Sequence, residues 1–242
     1  MRLVLALIAA LALVAEALVP RAHGQTVDLE LVLLADASRS IDDAEIRFQR
    51  QGHARAITDP AVLDAIAHAG TGRIAIAYVE WGDRSSQDLV AGWSVIDGRA
   101  AAEAFAEALL AAPRRARGAN AIGAALLGAK RLIEQNRFEG MRRVIDFSAD
   151  SANNFNGPPI AAARDEVLAA GIVINGLAVL CHDCPTGRPV GYDLERAFAK
   201  TIIGGPGSFV LTADGPESFA AAVRRKLILE IAGAAPVVAA AE

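Results

Sequence analysis

Short, nearly continuous apolar runs alternate with helix-length amphipathic segments along most of this chain, and that alternation limits the folds open to it. Leu29 to Ala35 reads as a strand with both faces buried, and the helical pattern that follows runs to about Thr58. Ser40 is the expected cap of that helix, with Asp42 and Asp43 in its first turn, where the helix dipole favours acids. Asp59-Pro60 restarts a short helix. Arg73 to Trp81 is the second strand. Gln87 to Ile96 follows after only the polar turn Gly82 to Ser86, a link short enough to make it an antiparallel edge strand. Arg99 to Ala112 reads as a helix ended by Pro113. Ala121, Ile122, Ala125, Leu126, Ala129, Leu132 and Ile133 mark one face of the next. Arg143 to Ser148, Ile172 to Leu180 and Ser208 to Leu211 are the remaining strands. Ile160 to Ala170 (stopped by Gly171), Tyr192 to Thr201, and Pro216 to about Ala232 are the remaining helices. Buried strands separated by helices imply a three-layer, doubly wound α/β fold: a mainly parallel six-stranded sheet, Rossmann-like, with one antiparallel edge strand.

The first 24 residues stand apart from that pattern. Arg2 precedes the apolar run Leu3 to Ala15, Glu16 interrupts it, and Pro20 breaks it. Ala22-His23-Gly24 places small residues at the two positions a signal peptidase reads, so residues 1–24 are expected to be a signal peptide cleaved after Gly24. The uncharged run is short for a membrane span, and no later segment is long and apolar enough to cross a bilayer. The mature chain is therefore expected in the periplasm or secreted. One domain is expected over residues 25–233, followed by a flexible Ala- and Val-rich tail over residues 234–242. The formal charge of −4 becomes more negative once Arg2, Arg21 and Glu16 leave. No basic stripe with interleaved aromatics is present, so nucleic acid is not an expected partner.

Ligands of such a sheet sit beyond the carboxyl ends of its strands, where strand order reverses. Three polar segments can reach that place. Asp36-Ala37-Ser38-Arg39-Ser40 puts one carboxylate and two hydroxyls in alternation on a single turn. Asp150, Ser151, Asn153 and Asn154 follow the fourth strand, and Arg117-Gly118-Ala119-Asn120 precedes the helix near Ala121. Hard oxygen donors of this kind suit Mg²⁺, which takes one or two carboxylates, neutral oxygens and retained water. The plainer readings are a capping role for Ser40 and an Asx-turn at Asp150. Asp146 and Glu80 read as partnered structural carboxylates.

These pieces, in this order, resemble the von Willebrand factor A-type (vWA) domain. That family has a metal-ion-dependent adhesion site, MIDAS, whose Asp-x-Ser-x-Ser element is matched by Asp36, Ser38 and Ser40. Its second element is a Thr before a Gly-x-Ala-Leu helix start. Gly123-Ala124-Ala125-Leu126 matches the helix, and Asn120 occupies the Thr position. Its third is an Asp after the fourth strand, matched by Asp150. Tyr78-Val79-Glu80-Trp81, Val144-Ile145-Asp146 and Gly204-Gly205-Pro206-Gly207 further resemble a group of exported bacterial vWA-like proteins of unknown function. The resemblance spans Val27 to Gly233. It implies a Mg²⁺ (or Mn²⁺ or Ca²⁺) site at Asp36, Ser38, Ser40, Asn120 and Asp150. It also implies recognition of a protein ligand whose Asp or Glu completes the coordination, and no catalysis.

Cys181 and Cys184 are the only cysteines. Their spacing allows a redox dithiol or half of a zinc site. The following Pro185 to Pro189 segment reads as loop, not as the helix start that activates a redox thiol, so a structural disulfide is the expectation. A thiol oxidoreductase and a metal-free vWA-like scaffold are the two rival functions. Pro206 and the absence of a following Lys-Ser/Thr argue against a phosphate loop.

Overall fold

The computed structural model describes residues 24–181 and 189–233. The expected leader, apart from Gly24, the tail, and Cys184 lie outside the described residues. Six strands form one sheet in the order β3-β2-β1-β4-β5-β6. They are β1 (Gln25–Asp36), β2 (Ile74–Trp81), β3 (Gln87–Ile96), β4 (Phe138–Ala149), β5 (Val173–Val179) and β6 (Val210–Ala213). Every neighbouring pair is parallel except β2 with β3, as the short Gly82 to Ser86 turn requires. Seven helices are described: α1 (Asp43–Ile57), α2 (Pro60–Ala67), α3 (Arg99–Ala111), α4 (Ile122–Glu134), α5 (Ile160–Ala169), α6 (Leu194–Thr201) and α7 (Pro216–Ala232).

Residue alternation along the central strand builds the two cores. Leu29, Leu31, Leu33 and Ala35 face one side, where Ile57, Phe105, Leu109, Phe219 and Leu227 of α1, α3 and α7 cover them. Val32 and Leu34 face the other side, against Ile122, Leu126, Val167 and Phe198 of α4, α5 and α6. Each leucine fully buried this way contributes roughly 1.5–3 kcal/mol.

Several boundaries differ from the sequence reading, each for a local reason. β1 and β4 begin earlier, pairing Gln25 with Phe138. Polar side chains reach water at that end of the sheet, so no apolar run marks it. Asp42, not Ser40, caps α1: its Oδ1 accepts from Ala44 N at 2.7 Å and Glu45 N at 2.9 Å, while Glu45 Oε2 accepts from Asp42 N. This reciprocal capping box leaves the Ser40 hydroxyl available elsewhere. β6 lies two residues later than expected because its register is set by β5, Gly176 against Val210. Asp193, accepting from Arg196 N, moves the start of α6 past Tyr192.

Two carboxylates read as structural are so. Glu80 receives Arg50 Nε at 2.7 Å and Nη2 at 2.9 Å. Asp146 lies 2.8 Å from Lys226 Nζ.

Candidate metal centre at the ends of β1 and β4

After β2 and β3 are laid on one side of β1, the chain crosses to β4 on the other side, so strand order reverses between β1 and β4. Ala35 stands opposite Ser148 in that pair. Asp36 and Asp150 therefore leave neighbouring strands at the same end. This is where open α/β sheets hold ligands.

The turn after β1 is built rigidly. Asp36 is buried, and its Oδ1 accepts from Ser38 N at 2.7 Å. Ala37 N donates to Trp81 O, Arg39 N to Gly118 O, and Ile41 N to Ser38 O. Arg114 reaches in from the loop after α3. Its Nη2 donates to Ala37 O at 3.0 Å and Ile41 O at 2.7 Å, and its Nη1 pairs with Asp43 at 2.8 Å. Ser38 and Ser40 place their hydroxyl oxygens 3.3 Å apart.

The other two segments close around this turn. Gly118 sits at φ +110°, and a Cβ there would fall 2.6 Å from Asp83 Cβ. Glycine thus lets the 117–120 loop lie against the loop after β2. Gly123 opens α4 against Pro158, whose carbonyl oxygen would be 2.2 Å from an added Cβ. Its N–H donates to Asn154 Oδ1 at 3.2 Å. The Gly-x-Ala-Leu start thus ties α4 to the loop carrying Asp150. Asn120 is buried, and its carbonyl accepts from Phe155 N at 2.8 Å. Ser40, Asn120 and Asp150 line one cleft of about 440 Å³, flanked by Arg39, Ser151 and Phe155. All five sequence-derived site residues are thus brought to one place.

The charge balance there is incomplete. Asp36 Oδ2 and Asp150 Oδ1 are both buried without a hydrogen-bond partner. Burial, then the charge of Asp150, pushes the Asp36 carboxyl up to about 8. Burial raises Asp150 as well, partly offset by the Ser40 hydroxyl. Buried acids without a partner oxygen or cation are costly, and a small hard cation among these oxygens would remove both penalties. The donor set fits Mg²⁺: two carboxylates, with hydroxyls and an amide for the rest. Among the described residues no group of three or more His, Cys, Asp or Glu gathers as a metal site. The fit rests on the acid pair and its neutral oxygens.

Residues 26–235 match a family described as protein of unknown function, DUF1194. The chain belongs to the DUF1194 family. No curated protein matches this DUF1194 chain. Solved structures place its fold among the vWA domains. The von Willebrand factor type A protein from Catenulispora acidiphila has TM-score 0.59 at 15% identity, over 85% of this chain and 43% of that one. The vWF domain of the type V pili tip protein Mfa5 from Porphyromonas gingivalis has TM-score 0.57 at 11% identity, over 88% and 98%. Proximal thread matrix protein 1 from the mussel byssus, with a zinc-occupied MIDAS motif, has TM-score 0.58 at 17% identity, over 87% and 46%. The DUF1194 chain thus spans less than half the length of two of these three.

Sequence reasoning missed two contributors. Arg114 is one arginine among several in its loop, and nothing in the spacing marks it. Glu45 is buried, its carboxyl raised by burial, and its Oε1 lies 3.2 Å from Cys181 Sγ. The Asp42-x-x-Glu45 spacing was the available signal for it. Cys181 is not a free thiol. It is buried, and α6 begins only at Leu194.

Proposed function

We propose that this domain binds a divalent cation, Mg²⁺ foremost, at Asp36, Ser38, Ser40 and Asp150, with the Asn120 amide as a further donor, and recognises a protein through it. The observation that carries the reading is the pair of buried, unpartnered acid oxygens, Asp36 Oδ2 and Asp150 Oδ1, at the switch point of the sheet. Mg²⁺ retains exchangeable coordination positions. An Asp or Glu of a partner fills one of them across the cleft beside Arg39 and the exposed Phe155. The role proposed for the cleft is recognition and not catalysis. The leader-like residues 1–24 put that recognition outside the cytoplasm, in the periplasm or as a secreted protein. No described helix is long and apolar enough to cross a membrane.

Calorimetry with Mg²⁺ and Mn²⁺ tests the metal. Saturable heats are expected for the wild type and none for Asp36→Ala. Negligible heats for both proteins would sink the proposal and leave the metal-free scaffold. Capture of partners from the exported fraction with Mg²⁺ against EDTA tests the second half, with loss in EDTA expected. The thiol oxidoreductase reading is disfavoured by the burial of Cys181.

A further inference from the structure

The loop between β4 and α5 carries Phe155, the most exposed large apolar side chain among the described residues, at 70%. A lone exposed phenylalanine needs no explanation, but this one has a fixed place. It lines the same cleft as Ser40, Asn120 and Asp150. Its N–H donates to Asn120 O at 2.8 Å. The positions around it are tied as well. Ala152 N donates to the Tyr192 hydroxyl at 2.9 Å, Asn154 Nδ2 to Pro158 O at 3.0 Å, and Arg84 N to Asn156 Oδ1 at 3.1 Å. Asn154 Oδ1 also accepts from Gly123 N, at the start of α4. The backbone that carries the ring is therefore set before any partner arrives, and binding there orders little.

The charge of the cleft narrows what can sit on it. Arg39 lines it, exposed, and its guanidinium makes no hydrogen bond or ion pair among the described residues. With a cation on Asp36 and Asp150, the cleft offers two positive groups and one aromatic face. A carboxylate answers the positive groups, and an aliphatic side chain answers the ring. In an extended peptide, residues two apart lie on the same side, about 7 Å from each other. An acid and an aliphatic residue at that spacing can enter a cleft of about 440 Å³ together.

We infer that the cleft selects an acidic–aliphatic segment of a protein partner: an Asp or Glu with a leucine-sized side chain two positions away, its carboxylate on the cation beside Arg39 and its aliphatic group on the Phe155 ring. The inference rests on the metal reading above and adds to it which acidic residues are chosen. Aromatic side chains at interfaces often carry a large share of the binding energy. One ring face covers only part of a leucine, so a gain of about fivefold in Kd is expected.

The test is an NMR titration of the isotope-labelled protein in Mg²⁺ with three peptides: acetyl-Leu-Gly-Asp-Gly-Leu-amide, acetyl-Ala-Gly-Asp-Gly-Ala-amide and acetyl-Leu-Gly-Asn-Gly-Leu-amide. The first is expected to bind about fivefold tighter than the second, with amide shifts around Phe155, and the third not to bind. EDTA is expected to abolish binding of all three. Phe155→Ala is expected to erase the preference for leucine over alanine, and Phe155→Leu to keep part of it. The ring is exposed, so neither variant threatens the fold. Calorimetry with Mg²⁺ on the same protein tells two failures apart. No Mg²⁺ binding would sink the metal reading and this inference with it. With Mg²⁺ bound, four results would overturn this inference alone: equal binding of the leucine and alanine peptides, no binding of either, a preference unchanged in Phe155→Ala, or one that survives in the Asn peptide.

Discussion

Asp146 lies near the carboxyl end of β4 and the half-buried Asp150 just past it, four positions on, and each shares its surroundings with a buried acid. Below, Asp146 and Glu230 have Lys226 between them, at 2.8 and 2.6 Å, and Asn175 beside them. Above, Asp36 and Asp150 have hydroxyls, a backbone N–H and each other, and among the described residues no ammonium or guanidinium hydrogen-bonds them. Arg114 comes close, but its Nη1 and Nη2 donate to Asp43, Ala37 O and Ile41 O instead. The lower pair carries its cation as a side chain, fixed by the covalent chain. In the function proposed above, the upper pair takes its cation from solution.

Removing the fixed cation is expected to give the largest effect. Lys226→Met leaves Asp146 and Glu230 buried without a counter-charge, and unfolding in urea is expected to lose about 3–5 kcal/mol. A loss under 1 kcal/mol would mean that protons already neutralise the lower pair and that the contrast is illusory. Next comes Arg114→Ala, which frees the Asp36 turn from two carbonyl anchors. About 1.5–3 kcal/mol of stability is expected to go, with Mg²⁺ affinity falling alongside it. Unchanged Mg²⁺ affinity in that variant would show that the turn holds its shape without the clamp.

The pH dependence separates the pairs further. Asp36 sits at about 8 in the fold and near 4 in the unfolded chain. Across that window the unfolded state has released a proton that the folded state retains. Metal-free stability should therefore fall as pH rises from about 4 to 8. Mg²⁺ takes the place of that proton, so its stabilisation in thermal melts should be greater at pH 8 than at pH 5. Metal-free Asp36→Asn should melt higher than wild type at pH 8, each pH unit of relieved shift being worth about 1.4 kcal/mol, and should gain nothing from Mg²⁺. Glu230, pushed up to about 7 by burial and then by Asp146, adds a pH-dependent loss of the same sign. That part should persist in Asp36→Asn and be indifferent to Mg²⁺.

The sheet and most helices were legible because apolar runs and helical stripes report burial directly. The antiparallel edge was legible from one short turn. The Asp36-Ala37-Ser38-Arg39-Ser40 turn was legible because its donors are consecutive, while Asn120 and Asp150 needed a resemblance to join it. What stayed hidden depends on the third dimension. Lys226 finds Asp146 across the sheet face, 80 positions away, and only Glu230 is its helical neighbour. Arg114 meets its carbonyls through a loop crossing that no periodicity encodes. Ser40 was read as a cap because a cap and a cation ligand need the same hydroxyl. Asp42, with Glu45 three positions on, takes the cap and frees it.

The smallest expected effect bears on Asn120, which stands where the adhesion-site pattern the sequence resembles has Thr. Asn120 is buried in the cleft, with its backbone carbonyl held by Phe155 N. Its side chain presents an amide oxygen, a hard donor that stands one atom further from the backbone than a Thr hydroxyl. Asn120→Thr keeps a neutral oxygen at the cleft wall and shortens its reach, so a direct contact with the cation would be exchanged for one through water, or the reverse. Mg²⁺ tolerates either arrangement because it keeps part of its hydration shell. The change in Mg²⁺ affinity by calorimetry is expected to stay within about tenfold, or 1.4 kcal/mol, with stability unchanged. Asn120→Ala removes the oxygen altogether and distinguishes the two cases. If Asn120→Ala binds Mg²⁺ as wild type does, the cation rests on Asp36, Ser38, Ser40 and Asp150 alone. If it loses affinity while Asn120→Thr keeps it, the amide is a working substitute for the hydroxyl.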